Sequence, residues 1–87
     1  MTKIYIYCLF DRYDNFLGVY SSLKSVHRDA LRYTNRGTTR VAIKADGLIH
    51  EASLVNLRNL FKSRLDFAVM YFNDRQGVKV LKTKLTE

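Results

Sequence analysis

The first strand-like run of the chain is apolar on both parities. In KIYIYCLF, residues 3–10, Ile4, Ile6, Cys8 and Phe10 fall on one side of an extended chain, and Tyr5, Tyr7 and Leu9 on the other, because successive strand side chains point to opposite faces. β-branched and aromatic residues favour the extended state. Apolar residues on both sides predict an interior strand with at least part of each face covered. DRYDN then supplies turn formers and FLGVY a short returning strand, so the opening unit reads as a hairpin.

The period then changes from two to that of a helix. Leu23, Val26, Ala30 and Leu31 define one apolar face, with His27 and Tyr33 or Thr34 beside it. Ser21 or Ser22 is placed to cap the first turn, and NRG, ending at Gly37, to stop the helix. Alternation returns in TTRVAIKA, residues 38–45, where Val41, Ile43 and Ala45 are expected to face the core and Arg40, Ala42 and Lys44 to face away. Asp46-Gly47 is a tight-hairpin signal, and LIHEA returns from it. Ser53 can cap a second helix, LVNLRNLFKSRL, with a stripe of Leu54, Leu57, Leu60, Phe61 and Leu65. DFAVMYF and GVKVLKTKL, either side of NDRQ, make a third hairpin.

The predicted fold is therefore α+β, a small single domain over residues 1–87 with element order β-β-α-β-β-α-β-β. Eighty-seven residues leave no room for a second core. A mostly antiparallel sheet with both helices on one face would bury the two stripes. The competing layout is two three-stranded sheets joined by dimerisation. The tyrosines at 5, 7, 20, 33 and 71, with Phe10, Phe67 and Phe72, exceed what so small a core needs. A homodimer is one expected outcome, with Tyr5, Tyr7 and Tyr33 as interface aromatics.

Candidate chemistry changes this picture little. The histidines, His27 and His50, belong to no metal-ligand spacing, and one cysteine, Cys8, can form neither an internal disulfide nor a thiolate cluster. Phosphate-binding glycine motifs are absent. Asp11 and Asp14 share one loop and could hold Mg²⁺ for phosphodiester hydrolysis, but most of the acids sit where turns and caps use them. No catalytic residue, metal or cofactor is expected, and the protein reads as a non-enzyme. The apolar opening run is too short for a secretory leader or a membrane span, which places the protein in the cytoplasm with no membrane partner.

Charge carries the functional expectation. Fifteen basic residues against eight acidic ones give a net charge of +7, a bias towards polyanions. Lys24, Arg28, Arg32, Arg36, Arg40 and Lys44 recur every four residues with only Asp29 as an acid among them. Arginine predominates, the type suited to bidentate phosphate or carboxylate recognition. If Arg36 and Arg40 return beside the helix, the six form one field able to neutralise several phosphates. Arg58, Lys62, Lys79, Lys82 and Lys84 are a secondary basic surface. A hairpin between the two helices argues against a helix-turn-helix, so the expected mode is docking on the backbone of DNA or structured RNA. The alternative partner is an acidic host protein, since arginine and tyrosine are favoured at interface hot spots. The stretch LGVYSSLKSVHRDAL resembles a pattern met in the small accessory proteins of bacteriophages. That resemblance implies binding and inhibition or modulation of a host factor, in host takeover or anti-defence.

Overall fold

The computed structural model describes residues 4–34, 40–62, 64–74 and 76–85. Within it the chain forms β1 (Ile4–Asp11), β2 (Phe16–Tyr20), α1 (Leu23–Thr34), β3 (Ala42–Ala45), β4 (Leu48–Glu51), α2 (Leu54–Phe61), β5 (Phe67–Phe72) and β6 (Gly77–Leu85). The element order is the one the hydrophobic pattern predicts. All six strands join one antiparallel sheet in the order β2-β1-β6-β5-β3-β4. The third hairpin therefore sits in the middle and joins the first two, so the layout of two separate sheets does not occur.

Local chemistry sets the corners. Asp46 and Gly47 take φ of 53° and 76°, the left-handed pair that a two-residue hairpin between right-twisted strands requires. Asp11 organises the first turn by accepting from the Tyr13 and Asn15 N–H groups at 2.8 and 2.9 Å and from Asn15 Nδ2 at 2.9 Å. Ser22 Oγ accepts from the Ser25 N–H at 3.2 Å and Ser53 Oγ from the Asn56 N–H at 3.1 Å, which satisfies an orphan donor at the start of each helix.

The second helix is shorter than its leucine pattern predicts. It ends at Phe61, Lys62 turns to an extended conformation (φ −61°, ψ 126°), and Leu65 lies outside the helix and exposed. Lys82 provides a reason for the early stop, because its Nζ donates to the Phe61 carbonyl at 2.9 Å. A cation is favourable at this negative helix end.

Register assigns every strand residue to a face. Tyr7 and Leu9, Ile43 and Ala45, Val69 and Tyr71, and Val78 and Val80 form one buried cluster with Val26 and Ala30 of α1 and Leu57 and Phe61 of α2. Both helices thus lie on the same side of the sheet. The Tyr7 and Phe61 rings meet at 5.8 Å between centroids, and Phe61 meets Phe67 edge-on at 6.0 Å. The opposite parity of each strand faces away from both helices. β1 is an interior strand, as its composition predicts; two short helices cover one face of the sheet, and on the other face Ile6, Cys8 and Phe10 are half-buried.

Candidate nucleic-acid interface

On α1, the core contacts of Val26 and Ala30 leave Lys24, Arg28 and Arg32 on the exposed side. The Arg28 and Arg32 side chains are 68% and 76% exposed. Both lean on one carboxylate: Arg28 Nε lies 3.4 Å and Arg32 Nη1 3.6 Å from Asp29 Oδ1. Asp29 Oδ2 accepts from the Tyr20 hydroxyl at 2.6 Å, which ties the helix to the edge strand β2. That hydroxyl, with the arginines in support, holds the Asp29 carboxyl below its usual range. Burial, then the Asp29 carboxylate, pushes Tyr20 up to about 12. Neither Tyr20 nor its bond to Asp29 is foreshadowed by periodicity, because a strand end and a helix flank nine residues apart meet only through the hairpin-to-helix corner.

The structure divides the basic residues that the sequence groups. Arg58 on α2 and Lys62 at its end are exposed and belong to the same helix layer as the α1 stripe. Arg40 is exposed ahead of β3, and Arg36 lies outside the described residues. Lys44 does not join them: its neighbours Ile43 and Ala45 are buried under the helices, and strand alternation turns Lys44 to the opposite face. The six-residue field expected from the four-residue spacing therefore loses Lys44.

The secondary set divides in the same way. Lys79 pairs across the sheet with Phe10 and Met70, on the face away from the helices, where its Nζ reaches Asp14 Oδ1 at 2.8 Å. Lys82 faces the helices but is occupied by the Phe61 carbonyl, and it lies 4.9 Å above the Tyr5 ring. Lys84 is exposed. Lys24, Arg40, Lys44, Arg58, Lys62 and Lys84 make no ion pair with any described residue.

Of the interface aromatics, Tyr7 is buried beneath Phe61 and is a core residue. Tyr5 is exposed at the edge of the helix layer. Tyr33 is half-buried against the core and lines a shallow cleft of about 220 Å³ with Arg12, Tyr13, Leu17 and Gln76. Asp11 and Asp14 have other partners: three donors engage the Asp11 carboxylate, and Lys79 engages Asp14.

His27 has a structural role. Its Nδ1 is 2.6 Å from the hydroxyl of Tyr71, a side chain buried in the middle of the sheet. Burial lowers the His27 imidazole from its ordinary value. Comparison of the chain with protein-family models, with curated proteins and with solved structures finds no match, so the functional reading rests on this geometry.

Proposed function

We propose that the protein is a non-enzymatic binding protein whose helix layer docks on nucleic-acid backbone. The observation that carries this reading is the sign of that layer. Lys24, Arg28, Arg32, Arg58 and Lys62 are exposed on or at the end of the two helices, and Asp29 is the one acidic residue within them. Such a surface neutralises phosphates without reading bases. Four or five phosphate contacts correspond to a salt slope of roughly −3.5 to −4.5 on duplex DNA. We place the protein in the cytoplasm, where the free thiol of Cys8 needs no disulfide partner.

A second reading is favoured by Val55, an exposed apolar side chain three positions before Arg58 on α2. An apolar anchor beside arginine suits an acidic host protein, as for a small phage-type accessory protein that inhibits or modulates its target. A pull-down from lysate with and without nuclease separates the two classes. The nucleic-acid reading expects bound material that disappears with nuclease. One stoichiometric protein that survives nuclease overturns it in favour of the second reading.

A further inference from the structure

The sheet face away from the helices is the largest feature that backbone docking leaves unused. Register places Ile6, Cys8 and Phe10 of β1 on this face with Leu81 of β6, which pairs with Cys8, and Met70 of β5, which Lys79 separates from Phe10. Val19 on β2 and Ile49 on β4 carry the apolar surface to both edges, where they are 54% and 67% exposed. Lys79 and Lys44 interrupt the row that runs from Phe10 through Met70 to Ile49, and apolar side chains make up most of the rest of the face, which marks it as a candidate interaction surface. The charged strand residues on this face are Lys44, Lys79 and Glu51. Lys79 is drawn onto the Phe10 ring at 5.1 Å and onto the Asp14 carboxylate. Lys44 and Glu51 stand on the adjacent strands β3 and β4 with opposite signs. The face is therefore close to neutral on a chain of net charge +7.

We propose that this face is covered by a second copy of the chain, giving a dimer layered helix–sheet–sheet–helix. Charge selects the occupant. Two chains of +7 repel through most of their surfaces, and this near-neutral face is where they can meet without that cost. A polyanion or an acidic protein has no reason to prefer it over the helix layer. Area agrees. Six strands about 4.8 Å apart and on average about 20 Å long present a footprint of roughly 600 Å². Two such faces bury at least about 1,200 Å² in total, the range of specific protein interfaces. Shape agrees as well, since two sheets of the same twist stack in an aligned sandwich, and a twofold contact is self-complementary. Both basic helix layers then remain outside, so the dimer stands or falls independently of what those layers bind.

Cys8, the one cysteine of the chain, lies within this face and reports on it. In sedimentation equilibrium the wild type is expected to approach twice the 10.2 kDa chain mass as concentration rises, with thiol labelling of Cys8 slowing in step. Leu81→Lys should weaken the dimer by at least about tenfold, the effect of losing an interface hot spot. Val19→Lys, at an exposed edge position, gives the same reading should the central variant not fold. Asn59→Lys, on α2, should leave assembly unchanged. A monomer at every concentration overturns the proposal, as does a dimer whose half-buried Cys8 labels no more slowly than in the monomer. Dissociation by Asn59→Lys but not by the sheet variants also overturns it. So does a Cys8 that is protected only when duplex DNA is added, because the face would then be a nucleic-acid platform.

Discussion

Replacing Asp29 with asparagine is expected to make the protein less stable and a better polyanion binder, two changes of opposite sign from one carboxylate. The stability loss comes from the Tyr20 hydroxyl, which donates to Asp29 Oδ2 at 2.6 Å in a partly buried setting. A hydrogen bond to a charged group contributes about 1.5–3 kcal/mol and a neutral one about 0.5–1.5 kcal/mol. Asparagine still offers an oxygen acceptor, so the difference is about 1 kcal/mol, held low by solvent around the carboxylate. In a domain of this size that lowers Tm by roughly 4–8 °C. The two arginine contacts add little, because both guanidinium groups are mostly exposed. On the binding side, Arg28 and Arg32 lose the anion they share. Each additional phosphate they engage should steepen the plot of log K against log salt by roughly 0.9. Thermal melts by circular dichroism and fluorescence anisotropy with a labelled duplex read the two effects separately. A pH series adds a sign check. The Asp29 carboxyl is held below its ordinary value of 3.8, so its stabilisation is present above that pH and is lost as pH falls through the lower folded value. The asparagine variant should lack that acid-range loss. Weaker or unchanged duplex binding in the variant would rule out masking of the arginines by Asp29, which would then be holding them in position.

Three further substitutions address the interior and a corner. Burial holds His27 below its ordinary 6.5, so its contribution to stability is complete above that pH and is lost as pH falls towards the folded value. Denaturation midpoints across this window should fall in the wild type and less so in His27→Gln. Tyr71→Phe removes the hydroxyl 2.6 Å from His27 Nδ1 and should cost about 1–3 kcal/mol in the same assay by leaving a half-buried nitrogen without its partner. Gly47→Ala places a side chain at φ +76° and should cost about 1–2 kcal/mol, read as a lower Tm with nucleic-acid binding unchanged.

The elements were legible wherever one local rule decides them. The strand pattern of KIYIYCLF, the Ser53 cap, the Asp46-Gly47 corner and the Val26–Ala30 helix face each follow from spacing and residue type, and each appears in the structure. Residues whose role is set by a distant partner were not legible. The end of α2 depends on Lys82, twenty-one positions from the Phe61 carbonyl it engages. The burial of Tyr7 depends on Phe61 lying across it. Thr34 is buried at the end of α1 with its hydroxyl donating to the Ala30 carbonyl at 2.8 Å, and the hydrophobic pattern placed it only beside the apolar face. The spacing of four from Lys24 to Lys44 was misleading because it runs through a helix, a connection and a strand, whose periods differ. Alternation within TTRVAIKA had already turned Lys44 away from Ile43, and the register makes that decisive. The uncovered sheet face was implicit in the two-sided apolar pattern of β1. It follows from that pattern together with the packing of both helices on one face, which their two apolar stripes predict.

The helix layer is proposed to carry the binding site for nucleic-acid backbone. The measurement that tests it most directly is duplex affinity across a salt series for the wild type and for Arg28→Glu combined with Arg32→Glu. Exposed helix substitutions cost within about 0.5 kcal/mol, so the double variant should remain folded. Backbone docking predicts a steep negative salt slope in the wild type, and in the variant a loss of affinity with a slope shallower by roughly two units. Equal affinity and equal slope in the two proteins, or a wild-type slope near zero, would contradict it.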